Sequence, residues 1–262
     1  METPTAQISF ADLLQTAVSV PGTISSAYSA FYSYSLGNMI LAASQCAQRE
    51  LPLGPLATYR RWQELGRQVL KGSRALTLCQ PVTIKRKDAA EGEDEFLLRF
   101  MFRANWFVLA QTSGADLPAA EPPAWDKAQA LAALDVSEVP FDLIDGNVMG
   151  FARAGEFAVS PINPHAFKTT CHELAHILLG HTAEGEQADS EITPRNLRET
   201  EAEAVALLCC EALGMPGAEL CRGYLQHFWG VGNAIPERSA QRILRVADQI
   251  LKAGRVAEGG GL

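Results

Sequence analysis

Apolar side chains follow two different spacings in the first half of the chain. Over residues 8–20, 38–48 and 58–70 they recur every three or four positions, which predicts amphipathic helices. Residues 75–87 and 96–111 instead carry runs rich in β-branched and aromatic side chains, which are typical of strands. The pattern therefore predicts helices followed by a pair of strands.

A stretch rich in proline and glycine separates this half from the next. Gly114, Pro118, Pro122 and Pro123 lie among alanines, a composition that sustains neither a helix nor a strand. We expect a boundary here, because 262 residues with 47% hydrophobic side chains can bury two cores. The predicted division is a first domain at residues 1–113, a linker at 114–126, a second domain at 127–257 and a flexible tail at 258–262.

The second half predicts short strands and then helices. Apolar runs at residues 139–144, 148–152 and 156–160 favour strands, and the chain then follows a helical pattern to about residue 253. The predicted fold class is α+β. A strand beside the first long helix of this half would be able to pair with an extended peptide.

An HExxH motif spans residues 172–176. On a helix its two histidines, His172 and His176, lie one turn apart on one face, where both rings can bind one metal ion. Glu173 between them is placed to take a proton from a bound water. Apolar neighbours at helical spacing indicate a buried helix, in which two unpaired histidines would be costly. The motif therefore predicts a zinc site of the kind that hydrolyses amides.

A third ligand is expected from an alanine-rich helix predicted downstream of the motif. Glu199 and Glu203 are four positions apart and share a helix face, whereas Glu201 points away from both. We assign Glu199 to the metal and Glu203 to the ring N–H of His172, and the exchanged assignment stays open. A third histidine ligand fits poorly, because His181 is one position out of step with the pattern HExxHxxGxxH.

Four stretches of the second half are similar to one known family. They read HELAHILLGHT, RETEAEAVALLCCEALGM, CRGYLQHFW and SAQRILRVADQILKAG, and they resemble the metallopeptidase domain of ArdC-type antirestriction proteins, relatives of the ImmA/IrrE peptidases. The resemblance implies a zincin-like fold with a gluzincin-type zinc site and Glu173 as general base. It also implies a hydrogen bond from Tyr224 to the developing oxyanion, although an ordinary tyrosine of an amphipathic helix fits the pattern equally well.

The first half resembles the same family independently. The stretches YSLGNMILAASQC, TYRRWQELGRQVLKGSRALTLCQPVTIK and FVLAQTSGADLP are similar to the N-terminal domain of ArdC-type proteins. That domain is associated with binding of single-stranded DNA, so the resemblance implies the same partner for this chain.

Charge is distributed unevenly between the halves. Residues 1–120 hold eleven Lys/Arg and ten Asp/Glu, whereas residues 121–262 hold eleven and twenty, and the whole chain has a net charge of −8. Nine basic and two acidic side chains lie within residues 49–87. Basic groups with interleaved aromatic rings suit a groove that binds phosphates and stacks bases, although a solvated basic face is the common alternative. The predicted DNA-binding residues are Tyr59, Arg60, Arg61, Trp62, Arg67, Lys71, Arg74 and Lys85.

Several other classes of protein are disfavoured. The N-terminus has no signal peptide, and no apolar run approaches the roughly 20 residues that span a bilayer, so we expect a cytoplasmic protein without a membrane partner. The six cysteines form no C-x-x-C pair and are expected to be buried, reduced thiols. The acidic run at 91–95 is expected to be a solvated hairpin loop. No phosphate-binding loop, dinucleotide-binding fingerprint or nucleophile elbow is present.

The sequence thus predicts a zinc metalloendopeptidase joined to a domain that binds single-stranded DNA, with an antirestriction-like role that protects incoming DNA. Its partners would be single-stranded DNA and a protein or peptide substrate. Two alternatives stay open. The zinc site could be structural or vestigial in a protein that acts by coating DNA, or the peptidase could cleave a transcription repressor, as ImmA-like relatives suggest.

Overall fold

A computed structural model describes residues 9–85, 96–118, 121–142, 148–182 and 194–256 of the chain. The acidic run at 91–95 and the predicted tail at 258–262 lie outside these ranges. The chain divides into two compact units, one formed by Met1–Ile40 with Glu121–Leu262 and the other by Leu41–Ala120. No helix of the described residues is both long enough and apolar enough to cross a membrane.

The described part of the chain begins with three helices, continues through two groups of strands and ends with four helices. Their order is α1 (Phe10–Ser19), α2 (Thr23–Phe31), α3 (Leu36–Gln48), β1 (Leu56–Thr58), α4 (Tyr59–Glu64), β2 (Arg67–Val69), β3 (Leu76–Lys85), β4 (Phe96–Val108), β5 (Thr112–Gly114), α5 (Lys127–Leu134), β6 (Ser137–Glu138), β7 (Gly150–Arg153), β8 (Glu156–Val159), α6 (Ala166–Leu178), α7 (Arg195–Ala212), α8 (Ala218–Gly230) and α9 (Glu237–Ala253). This mixture of helices and sheets confirms the predicted α+β class in outline.

The smaller unit is built around β4. β4 pairs antiparallel with β1 on one side and β3 on the other, and β2 pairs antiparallel with β5 in a separate ribbon. Leu76, Leu78, Val108 and Trp62 are buried in its core. The helix predicted at 58–70 is shorter than expected, because Gly66 adopts a left-handed conformation and the chain continues into β2.

The larger unit is built around α7. Every residue from Thr200 to Ala212 except Glu203 is buried, because α7 contacts α2, α6, α8 and α9. A three-stranded sheet of order β6-β8-β7 packs against α6, with β6 parallel to β8 and β7 antiparallel to it. The first strand predicted in this half is wrong over its described part, since residues 139–142 are irregular and β6 precedes them.

The first 40 residues belong to the larger unit. The helix α1 packs on α9, and α2 packs on α7. The Glu237 carboxylate at the start of α9 accepts hydrogen bonds from the Ser9 hydroxyl and from the backbone N–H groups of Phe10 and Ala11. The structure therefore differs from the predicted division, which placed residues 1–113 together.

Candidate metal centre and nucleic-acid surface

The two motif histidines lie on one face of α6. Asn163 fixes the approach to this helix, because its side chain accepts a hydrogen bond from the backbone of His165 and donates one to Thr169. The Nε2 atoms of His172 and His176 are 3.1 Å apart. Both rings therefore direct a nitrogen toward the same point in space.

Glu199 completes a group of three ligand atoms. Its Oε2 lies 3.6 Å from Nε2 of His172 and 3.6 Å from Nε2 of His176. Ligands held at 2.0–2.1 Å in a tetrahedral zinc site are separated from each other by about 3.3 Å. The neighbouring imidazole groups of His172 and His176 hold the pKa of Glu199 well below its usual range, so this carboxylate is ionised. The three side chains fit a zinc ion in both spacing and chemistry.

Glu203 lies on the opposite side of the His172 ring. Its Oε1 is 3.4 Å from Nδ1 of His172 and 2.6 Å from the Lys168 ammonium. In this position the carboxylate can orient His172 while Nε2 of that ring stays available for a metal. The arrangement favours Glu199 as ligand and Glu203 as the partner of His172.

A second chain of contacts leads away from His176. Its Nδ1 lies 3.0 Å from Nδ1 of His181, whose Nε2 lies 2.8 Å from Oε2 of the fully buried Glu201. Burial raises the pKa of Glu201, but hydrogen bonds from His181 and Ser239 and the charge of Arg242 outweigh it and leave the pKa below its usual range. Glu201 is thus an ionised acceptor in the interior.

This chain of contacts selects one tautomer at each ring. If the Glu201 carboxylate accepts a hydrogen bond from the Nε2–H of His181, then Nδ1 of the neutral His181 ring is an acceptor for the Nδ1–H of His176. The Nε2 lone pair of His176 is then free to face His172 and Glu199. From the sequence, His181 fitted poorly as a third ligand and Glu201 was set aside. The signal that could have revealed this pair is an acidic residue within an apolar helical stretch.

Glu173 is buried beside these rings. The residue is 7% exposed, and burial raises the pKa of its carboxyl against the opposing charges of His172 and His176. Strand β7 passes close to it. A Cβ added at Gly150 would lie 2.8 Å from Glu173 Oε1 and 2.5 Å from Thr169 Cγ2, so only glycine allows the strand to approach the carboxylate this closely.

The candidate site opens into a cavity of about 280 Å³. Its lining includes two cations that sequence reasoning missed, Arg195 and Arg198, which lie in the first turn of α7 just before Glu199. The Arg198 guanidinium also donates to the backbone carbonyl of His181. The described residues that line it are Ala152, Glu173, His176, His181, Thr182, Arg195, Arg198 and Glu199.

Tyr224 is not among the residues that line this cavity. It lies on α8 and is 40% exposed. The oxyanion role that the resemblance implies for Tyr224 stays a prediction.

The predicted DNA-binding residues divide into several groups. Trp62 is fully buried, and its indole N–H donates to the Phe107 carbonyl, so the expectation that it stacks on bases is wrong. Arg67 is held by Thr112 and by the backbone carbonyls of β5 and Ala115. Arg60 and Arg61 are exposed and both pair with Glu64. Trp62 and Arg67 thus hold the smaller unit together.

Tyr59 and Lys71 line an open cavity of about 560 Å³ in the smaller unit. Tyr59 is 44% exposed, its hydroxyl accepts a hydrogen bond from Gln68, and its ring meets the edge of Phe107 at a centroid distance of 6.5 Å. Arg74 is exposed on the loop before β3. The side chain of Lys85 lies outside the part of the chain that the structure describes.

Comparison with known proteins relates the first half of the chain to one family. Residues 16–107 match the family model of the N-terminal domain of the anti-restriction factor ArdC, which confirms the predicted resemblance of this half. The match covers less than half of the chain. No curated protein sequence matches the chain significantly.

The fold is similar to that of two crystal structures of the antirestriction ArdC protein from the R388 plasmid. The metal-free structure shares 19% sequence identity and has a TM-score of 0.55, with 94% of each chain covered. The Mn(II)-bound structure shares 18% identity and has a TM-score of 0.56, with 94% of this chain and 97% of that chain covered. At such identities the similarity establishes a common fold.

Proposed function

We propose that this chain is a zinc-dependent endopeptidase that also binds single-stranded DNA and protects incoming DNA from restriction. The observation that carries the peptidase is the convergence of His172, His176 and Glu199 beside the buried Glu173. The similar R388 protein has been crystallised with Mn(II), which supports metal binding by this fold. Zinc is our choice because two imidazoles and one carboxylate are typical of catalytic zinc sites.

His172, His176 and Glu199 would hold the metal in this proposal. A zinc ion bound by two histidines and a glutamate lowers the pKa of a coordinated water and polarises a carbonyl group. Glu173 takes the proton of the attacking water and later returns it to the leaving amine. Burial suits Glu173 to both steps, because a raised pKa makes its protonated form accessible nearer to neutral pH.

Two carboxylates orient the ligand rings. Glu203 faces Nδ1 of His172, and Glu201 acts on His176 through His181. Both contacts leave the Nε2 atom of the ligand ring directed toward the metal position. Such outer contacts raise the basicity of the ligands and restrict rotation of the rings.

Strand β7 provides a guide for the substrate. It lies at the edge of its sheet, and Ala152 of β7 lines the cavity that contains Glu173. An extended peptide that adds to this edge by backbone hydrogen bonds would pass the candidate metal position. The close approach at Gly150 brings that edge within reach of the general base.

The DNA-binding part of the proposal rests on the smaller unit. The family match over residues 16–107 overlaps most of this unit, and the cavity that holds Tyr59 and Lys71 combines an aromatic ring with a cation. A ring and a cation side by side suit the stacking of a base and the neutralisation of a phosphate. The antirestriction role comes from the similarity to the R388 protein.

The peptidase is tested with the full chain loaded with zinc and a library of fluorogenic peptides, with and without single-stranded DNA. We expect the wild type to cleave and Glu173→Gln to keep its metal while losing about 10²- to 10⁴-fold in rate. His227→Gln, at an exposed position on α8, is the control. Cleavage by Glu173→Gln at the wild-type rate would remove Glu173 from the mechanism.

A restriction-protection assay in cells separates the peptidase from the coating alternative. Loss of protection in Glu173→Gln is the result we expect. Full protection by this variant, with DNA binding intact, would mean that coating of the strand is sufficient and that the metal site serves another purpose.

A further inference from the structure

The strands β3 and β4 extend beyond the core of the smaller unit as a two-stranded ribbon. β1 pairs with β4 only at residues 106–108, whereas β3 pairs with β4 along residues 96–104. Leu78 is the last buried residue of β3 whose side chain is described. Past that point residues 99–105 of β4 are exposed, and their outer edge pairs with no other strand among the described residues.

Three consecutive large apolar side chains lie exposed on this ribbon. Phe100 is 70% exposed, Met101 is 40% exposed and Phe102 is 42% exposed. Phe100 is opposite Pro81 and Phe102 is opposite Cys79, so the two rings share a face and are about 6.7 Å apart along the strand. Contiguous exposed apolar groups of this kind mark a binding surface.

Two arginines of β4 lie on the opposite face of the strand from the two rings. Arg99 and Arg103 are exposed on β4, one on each side of the pair Phe100 and Phe102. The smaller unit, residues 41–120, contains eleven Lys/Arg and eight Asp/Glu, in a chain whose net charge is −8. The ribbon thus carries flat aromatic rings in the unit whose sequence has a net positive charge.

We propose that the β3–β4 ribbon is a binding track for single-stranded nucleic acid, with bases stacked on Phe100 and Phe102 and phosphates paired with Arg99 and Arg103. Alternating residues of β4 point to opposite faces, so a strand lying along its outer edge meets the rings on one side and the guanidinium groups on the other. This inference rests on the proposed DNA-binding function and adds a site that is separate from the Tyr59 cavity.

The same strand connects the track to that cavity. Phe107 of β4 lines the cavity with Tyr59 and Lys71, and it follows Phe102 by about 17 Å along an extended strand. A nucleic acid of several nucleotides could contact both. Successive aromatic rings beside cations are the usual construction of surfaces that bind single strands without strong sequence preference.

Charge argues against a second copy of the chain as the binding partner of the ribbon. Antiparallel pairing of two β4 edges would bring the arginines of one ribbon against those of the other, and like charges across an interface are costly. On the other strand, Pro81 lacks the N–H that a pairing strand would need. A single-stranded nucleic acid is consistent with both observations, because its phosphates attract the arginines and its binding needs no pairing with a strand backbone.

The test measures fluorescence anisotropy of a labelled oligothymidine of about 20 nucleotides with the full chain. Phe100→Leu keeps the apolar character and removes the ring, so we expect about fivefold to a hundredfold weaker binding with an unchanged dependence on salt. Arg99→Gln and Arg103→Gln should each reduce the slope of log K against log salt by about 0.7. Phe100→Trp keeps an aromatic ring at this position and should bind with about the affinity of the wild type.

Matched controls exist on the larger unit. Ile162 is 72% exposed and Arg238 is also exposed, so Ile162→Ala and Arg238→Gln should leave both the affinity and the salt slope unchanged. Thermal unfolding of each variant checks that folding is intact, and the high exposure of Phe100 means that its replacement should not lower the melting temperature.

The outcomes separate this inference from the function on which it rests. If the wild type fails to bind the oligonucleotide, the proposed DNA binding is wrong and the track with it. If the wild type binds and Phe100→Leu binds equally well while Tyr59→Leu does not, the track is overturned and DNA binding remains. If the ribbon variants change only the sedimentation of the free protein, the ribbon is a self-association surface and the track is overturned.

Discussion

The Nε2 atom of His181 lies 2.8 Å from Oε2 of Glu201, and this contact joins the residues just after α6 to the interior of α7. Glu201 is fully buried, and Arg242 of α9 lies 3.9 Å from its other oxygen. Arg242 also donates to the carbonyl of Leu179. The Glu201 carboxylate therefore links α7 to α9 and to the residues just after α6. It is connected to the candidate metal ligand His176 through His181.

Glu201→Gln should weaken zinc binding by about 10- to 100-fold, because the charge that selects the His181 and His176 tautomers is lost. Competition with a fluorescent chelator measures the affinity, and circular dichroism checks that the helices persist. His227→Gln serves as the histidine control. An unchanged zinc affinity in a folded Glu201→Gln protein would show that the contact is structural and has no influence on His176.

Gly150→Ala should impair both stability and peptide cleavage. The added Cβ would lie 2.5 Å from Thr169 Cγ2 and 2.8 Å from Glu173 Oε1, so the strand or the carboxylate must move. Overpacking of this kind costs about 1–3 kcal/mol, which urea unfolding measures. Gly223→Ala, on a helix and with open space around it, should be neutral or stabilising. Equal stability of Gly150→Ala and the wild type would contradict the close approach of β7 to Glu173.

Trp62→Ala should destabilise the smaller unit by about 3–5 kcal/mol, because a fully buried indole and its hydrogen bond to the Phe107 carbonyl are removed. Denaturant unfolding monitors the loss. Tyr59→Ala, at a half-exposed ring, should change DNA affinity with little effect on stability. If Trp62→Ala weakened DNA binding in a protein of unaltered stability, the indole would have to act at the surface.

Stability should fall in acid partly through Glu237. Burial raises the pKa of this carboxyl, but hydrogen bonds from Ala11, Phe10, Gln241 and Ser9 outweigh it and hold the pKa below its usual range. A depressed pKa contributes stability above the unfolded value that is lost as the pH falls through the folded value. Glu237→Gln should therefore flatten the stability profile below pH 4.5, as measured by urea unfolding against pH. A profile as steep as that of the wild type would exclude this contribution, and Glu219→Gln is the charge control.

The sequence was most informative where short-range spacing determines geometry. An i, i+4 separation on a helix places His172 beside His176, and the same separation places Glu199 and Glu203 on one face of α7. The distances in the structure agree with the assignment of Glu199 to the metal and Glu203 to His172. The assignment stays a prediction until a metal is measured.

Long-range packing could not be predicted from local patterns. The contact between His181 and Glu201 depends on how α6 crosses α7, and the docking of α1 onto α9 depends on a carboxylate 226 positions or more along the chain. Trp62 was misjudged because a tryptophan among arginines has the same local pattern whether its ring is buried or stacked on a base. Exposure of Phe100 was missed because a strand pattern does not reveal which strand extends past the core.

The most direct test is a calorimetric titration of metal-free protein with Zn²⁺, carried out on the wild type, Glu199→Ala and Glu203→Gln. We expect one zinc ion per wild-type chain, no tight binding by Glu199→Ala, and affinity about 10- to 100-fold weaker for Glu203→Gln. Binding of zinc by Glu199→Ala as tightly as by the wild type, or no binding by the wild type, would contradict the metal centre on which the proposed peptidase depends.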